Sequence, residues 1–432
     1  MSNLHPIPEL LSPAGNREKL EAAINFGADA VYLAGTSFGM RSACDNFTID
    51  ELYSSVAYAH ERGKRVYVTV NTMPRTSEYP ALREYIAQLG DISPDAVIVS
   101  DLGVMAEVRR IAPKLQIHMS TQASAVSAAV CREYHKLGAS RVILARELTL
   151  DEIRDIRAGV SDELELETFV HGSMCVSWSG MCLLSAHLAD RDANKGNCTQ
   201  PCRWNWRLNT PKTISVCQDY DPVAAQNAAG TGIYDMEEAK HVGERYVIEE
   251  DEFGSFVMSA RDMKMIAHLD DLRDAGIASL KIEGRVKSAY YTAVTANAYR
   301  IGLDRLAAGL PFDERLHREL DSVSHREYGE GWFYGRPQLC TAAGYIREKA
   351  YLATALTDVA PGEPALFIQR NKIVTGETAE LLTPGCYGKP FTVGELRDED
   401  GAVIESAPHP AMRFTLALPY AVKTGDILRG GN

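Results

Sequence analysis

Four cysteines crowd into one stretch of the 432-residue chain: Cys175, Cys182, Cys198 and Cys202, with six, fifteen and three residues between successive members. Thiolates are soft ligands, and four of them satisfy either a tetrahedral zinc ion or the four corners of a 4Fe–4S cluster. Zinc knuckles usually pair their cysteines closely at both ends, so the wide first interval favours iron–sulfur. Structural zinc is the alternative, and unligated core thiols are a third reading. Cys131 falls within a helical pattern and reads as core, and Cys44 reads as a spare thiol.

Further candidates sit where strands are expected to end. His171, four residues before Cys175, would donate a proton or hydrogen-bond a cluster sulfide, unless it is structural. Arg146 and Glu147 form either a buried ion pair or a site in which the arginine grips a substrate carboxylate. Glu283 and Arg285 flank a glycine, and Arg285 with Lys287 would set positive charge at a rim where phosphate or a dicarboxylate docks. Gln122 and Asn71 would orient a base or a substrate hydroxyl, or else satisfy loop backbone. Of these, His171, Glu283 and Gln122 are the candidate catalytic groups. Arg41 is a candidate anion ligand. Arg203, Trp204, Trp206 and Arg207 follow the last clustered cysteine. Aromatics alternating with arginines suit stacking on an unpaired base and holding its phosphates, although the tryptophans would equally serve as a dry cover for the metal.

The elements that must position these residues follow a repeating pattern of short β-rich run, amphipathic helix and glycine-containing turn. Strands are expected at 9–12, 30–34, 65–71, 96–101, 117–122, 141–146, 164–171 and 279–283. Helices are expected at 16–26, 50–62, 102–111, 125–137 and 151–157, the first capped by Asn16 and ended by Gly27. Eight strands alternating with helices predict an α/β fold, a TIM-like (β/α)8 barrel, because parallel crossovers need helices and closure leaves no bare edge. An open doubly wound sheet is the runner-up.

Residues 172–278, between the seventh and eighth strands, are too many for a simple connection and form a cysteine-rich insertion in a barrel domain spanning 1–340. A long helix is expected at 286–306, and 326–337 reads as a glycine- and aromatic-rich linker. Short β-type runs separated by Gly, Pro and Asp turns make 341–432 a small C-terminal antiparallel β-barrel.

Composition narrows the function classes. The first residues have neither a basic nor an apolar leader region, and no apolar run is long enough to span a bilayer, so a cytoplasmic protein with no membrane partner is expected. Nine cysteines are too few for a disulfide scaffold. A net charge of −13 argues against a general nucleic-acid coat protein, whose affinity rests on Lys and Arg neutralising phosphates. Any RNA contact must come from a local basic patch.

The run ETFVHGSMCVSWSGMCLLS at 167–185 is similar to the signature of the collagenase-like peptidase family U32. ELLSPAG at 9–15, GADAVYL at 27–33, HMSTQAS at 118–124, RVILARELTLDEI at 141–153 and KIEGRVKSAYY at 281–291 agree with it. Within the family, RDANKGNCTQPCRW at 191–204 and EEDEFGSFVMSARD at 249–262 most resemble the tRNA-hydroxylating branch. That resemblance implies a 4Fe–4S enzyme that hydroxylates C5 of the wobble uridine of tRNA, with prephenate as hydroxyl donor and without molecular oxygen. On this reading the barrel mouth binds a flipped or single-stranded pyrimidine beside the cluster while arginines hold the dicarboxylate donor. The older peptidase label stands as the alternative, by analogy alone: the chain has no HExxH, no G-x-S-x-G and no Ser–His–Asp set readable in its order. A non-catalytic RNA-binding scaffold braced by its cluster is the competing class.

Overall fold

The computed structural model describes residues 5–40, 45–175, 177–182, 184–189, 191, 193, 197–203, 206–209, 233–238, 245–249, 260–337 and 345–431. Seven strands, β1 (Glu9–Pro13), β2 (Ala30–Ala34), β3 (Arg65–Val70), β4 (Ala96–Val99), β5 (Gln116–Met119), β6 (Arg141–Ile143) and β7 (Glu165–Ser173), form a continuous parallel ladder. The eighth, β8 (Ser279–Ile282), pairs in parallel with both β1 and β7. The sheet is therefore closed, and the open-sheet alternative is excluded.

Helices α1 (Arg17–Asn25), α2 (Ile49–His60), α3 (Tyr79–Ile92), α4 (Leu102–Ile111), α5 (Ala128–Lys136) and α6 (Leu150–Ala158) cross over between successive strands. Their starts are fixed by side-chain caps that satisfy otherwise orphaned N–H groups. Asn16 accepts from the Lys19 N–H, and Thr48 with Glu51 and Thr149 with Glu152 form reciprocal capping boxes. Gly27 ends α1 at φ +102°, where a Cβ would strike the Arg300 side chain. The helix α3 was not among those expected. Pro80 lies in its first turn, where proline favours a helix start, and Gly90 lets the helix close on Ala112.

The long connection after β7 contributes to the barrel at its far end. Asp262–Lys264 runs antiparallel beside β7, and α7 (Leu269–Asp274) leads into β8. The stretch at 326–337 is a packed part of the wall rather than a linker: Phe333 and Arg326 are buried, and Arg326 grips Asp262 at 2.7 Å. Helix α8 (Ala289–Ala307) is buried on nearly all sides, with the barrel on one side and the C-terminal domain on the other. Its Asn297 donates to the Cys386 carbonyl and accepts from the Gly385 N–H, both at 2.8 Å.

The C-terminal domain is an eight-stranded antiparallel sheet with Lys349–Ala355 and Ile427–Gly431 at its centre, so the antiparallel β architecture expected there forms. Phe367 and Phe414 stack in its core, and buried Arg429 ties it to the barrel domain through Glu319 at 2.8 Å. Among the described residues, no helix is long and apolar enough to cross a membrane.

Candidate active site

Alternation along the strands sends every second side chain into the barrel. At the N-terminal end of the strands this builds a charged floor. Arg141, 1% exposed, binds Glu9 at 2.8 Å, Glu165 at 2.6 Å and Glu167 at 3.0 Å. Burial alone would raise the Glu9 carboxyl, but Arg141 and Arg65 hold it below its ordinary value. Above this floor, Lys281 on β8 donates to Glu167 at 3.0 Å and lies over the Tyr32 ring. Burial pulls its ammonium below the usual lysine range, and Glu167 counters that pull.

Over Lys281 opens a cavity of about 130 Å³ at the C-terminal ends of the strands, where parallel barrels carry their chemistry. All four clustered cysteines line it, together with Asn71, Gln122, Arg146, Lys281, Glu283 and Arg285. Residues that are far apart in sequence, from β3 to the segment after β8, converge here. The Gln122 Oε1 accepts from Asn71 at 3.1 Å and from Ser100 at 3.2 Å. Its Nε2 lies 3.5 Å from the Met40 sulfur, a weak acceptor. Arg146 stacks on Phe169, donates to the Ser173 carbonyl at 3.2 Å and stands 3.9 Å from Glu283.

Two turns carry the thiols, and specific contacts hold them. The Leu184 N–H points at Cys182 Sγ at 3.3 Å, and the Gln200 N–H points at Cys198 Sγ at 3.4 Å. Backbone donors aimed at sulfur are the contacts that tune a metal bound to it. The buried Ser185 hydroxyl joins the turns, accepting from the Thr199 N–H at 3.0 Å and lying 3.1 Å from its hydroxyl. Among the described residues, no three His, Cys, Asp or Glu side chains converge on one ion position. Four thiols that ring one cavity, two of them with N–H donors, suit a thiolate-bound group of either kind, 4Fe–4S or zinc.

Several candidates stand elsewhere than expected. Arg285 is not on the rim: it is 4% exposed, lines the cavity and reaches Thr69 and the Met40 carbonyl. Lys287 is half-buried outside the lining and donates to the Ser324 carbonyl at 3.2 Å. Glu147 is also outside the lining, because its carboxylate is taken up by Ser179, whose N–H and hydroxyl bind it at 2.5 and 2.8 Å. His171 packs behind the wall among Tyr291, Tyr299 and Tyr328, and burial pulls its imidazole down to about 3. Burial thus favours the neutral imidazole, which keeps a single N–H to donate. Arg203 lies in the short turn Pro201–Arg203, and Trp206 and Arg207 lie in a strand paired with Ile233–Glu238. Arg41 and Trp204 lie outside the described residues.

Lys281, Thr69 and Tyr32 line the cavity without having been singled out. A signal for Lys281 was present: in Ser279–Leu280–Lys281–Ile282–Glu283 the polar residues alternate with apolar ones, the mark of a strand with one polar face.

Comparison with known proteins agrees with this architecture. The profile of peptidase family U32 matches residues 15–342, and that of the peptidase family U32 C-terminal domain matches 347–429. The chain is 36% identical to tRNA hydroxylation protein P of Escherichia coli over 95% of its length and 94% of that protein. It is 32% identical to tRNA hydroxylation protein P1 of Bacillus subtilis over 98% of its length and 95% of that protein. A collagenase of Porphyromonas gingivalis is 28% identical over 87% of this chain and 88% of that one. With both profiles matched in order and full-length relatives at this identity, the chain belongs to peptidase family U32.

Proposed function

We propose that this chain hydroxylates C5 of the wobble uridine of tRNA, taking the hydroxyl from prephenate without molecular oxygen, with a 4Fe–4S cluster on Cys175, Cys182, Cys198 and Cys202. The relatives named for tRNA hydroxylation support the RNA substrate, since they align over nearly the whole chain. The observation that carries the reading is that one cavity brings the four thiols together with two arginines, a lysine, a carboxylate and an amide pair.

Within that cavity Arg146 and Arg285 are placed to hold the two carboxylates of the donor, whose charge the buried Lys281 also favours. Chemistry on a base requires taking it out of its stack. The Gln122 Nε2–H is available to a pyrimidine carbonyl, since the Met40 sulfur is a poor competitor. Replacing the C5 hydrogen by hydroxyl releases a proton and leaves the electron pair of the broken C–O bond on the dehydroxylated donor, and Glu283 in the cavity lining would be the carboxylate to take the proton. A 4Fe–4S cluster, when bound, supplies one-electron redox chemistry beside the base. Peptide hydrolysis finds no such support among the described residues, whose cavity lining holds no histidine to activate a serine or cysteine.

Mass spectrometry of tRNA nucleosides from cells with and without the gene tests this. Loss of 5-hydroxyuridine-derived wobble nucleosides on deletion is expected, and an unchanged nucleoside profile would overturn the proposal.

A further inference from the structure

The turn Trp178–Gly180 lies between Cys175 and Cys182. Ser177 and Ser179 on either side of Trp178 line the cavity. The indole itself points outward and is 54% exposed, next to Met181 at 41%. An exposed tryptophan at the edge of a cavity, on a turn built with this much constraint, calls for a reason. Ser179 is held in the left-handed region at φ 44°, which a serine adopts only under compulsion, and it is 1% exposed. The compulsion is Glu147, whose carboxylate accepts from both the Ser179 N–H and its hydroxyl. The turn also packs on Thr121–Ala123, which carries Gln122. A strained turn clamped by a carboxylate therefore presents a large flat apolar ring at the mouth of the cavity.

We propose that Trp178 is a stacking platform for an unpaired RNA base that flanks the reacting nucleotide, and that Glu147 is the positioning residue that holds it there. This rests on the reading of the cavity as an RNA-modifying site. A base drawn into the cavity leaves its neighbours unstacked, and a fixed indole at the mouth restores that lost contact without any sequence preference. Because stacking releases few counterions, it suits a chain whose net charge of −13 repels RNA at long range.

The test measures binding of an anticodon stem-loop RNA to the anaerobically purified full chain across a salt series, for the parent, Trp178→Ala, Trp178→Tyr, Glu147→Gln and the double variant Trp178→Ala/Glu147→Gln. Cluster absorbance serves as the check on integrity. Trp178→Ala is expected to weaken binding about 5- to 100-fold by a similar factor at every salt concentration, with the tyrosine variant largely restored. Glu147→Gln is expected to weaken binding less, and to have no further effect once Trp178 is alanine. Parent-like binding by Trp178→Ala overturns the inference while leaving the RNA reading intact, as does a loss that appears only as a changed salt slope. A change in oligomeric state with unaltered RNA affinity assigns the indole to a protein contact and also overturns it. If the parent binds no stem-loop at all, the RNA reading itself fails.

Discussion

At the scale of single residues, the site is a set of buried groups whose charge states depend on their neighbours. Burial lowers the Lys281 ammonium, Glu167 at 3.0 Å opposes that shift, and Glu167 is in turn shared with Arg141. Two of the four thiols, Cys182 and Cys198, have backbone N–H groups aimed at them. Anaerobically purified protein is expected to be brown and to carry about four irons and four sulfides per chain. Cys182→Ser should lose both colour and iron. Cys131→Ala should keep them, because Cys131 is buried in α5 away from the cavity, its thiol pushed up to about 11 by burial. Iron and sulfide assays with zinc analysis decide the matter, and stoichiometric zinc with no iron would contradict the assignment. The cysteines could be found from sequence because their chemistry is carried by type and spacing. The role of Glu147 could not, because it is set by Ser179, thirty-two positions away in the chain.

At the scale of elements, periodicity exposed most of the barrel and its closing strand, since each strand and helix had to bury a defined face. It failed where a local signal competed with tertiary contact. The glycines, aromatics and single proline of 326–337 read as loop chemistry, yet Arg326 makes a buried ion pair with Asp262 that fastens this segment beside Asp262–Lys264. Burial opposes ionisation of Asp262, but Arg326 holds its carboxyl below the ordinary value. A carboxyl lowered on folding adds stability that is complete above about pH 4 and drains away as pH falls through the folded value. Arg326→Met leaves that carboxylate buried and unpaired, and should cost about 3–5 kcal/mol in urea unfolding at pH 7. Burial without the guanidinium then raises Asp262, so the variant should gain stability as pH falls from 7 towards 4, the opposite sign to the parent, whose lowered Asp262 loses its contribution as pH falls. A loss under about 1 kcal/mol with a parent-like pH profile would show that the pair does not anchor the segment.

At the scale of the molecule, an acidic chain of net charge −13 must meet RNA through few cations and much shape. Arg285, once a candidate for the rim, is 4% exposed and belongs to the cavity, which shifts the burden of RNA contact to the mouth. The C-terminal domain cannot swing freely over that mouth, because α8 is buried between the two domains and Arg429 links Glu319 to Glu380 across them. The barrel and the thiol-bearing turns enclose the cavity, the C-terminal sheet is fastened to the barrel outside its lining, and the account stands or falls on what reacts in that cavity. The most direct test incubates the anaerobically purified parent with tRNA from cells lacking the gene and with prephenate carrying heavy oxygen in its hydroxyl group, then analyses the nucleosides by mass spectrometry. The account predicts 5-hydroxyuridine that carries the heavy label, formed without air and absent with Cys182→Ser. Iron-loaded parent that leaves the uridine unchanged, or that forms the product with unlabelled oxygen, would contradict it.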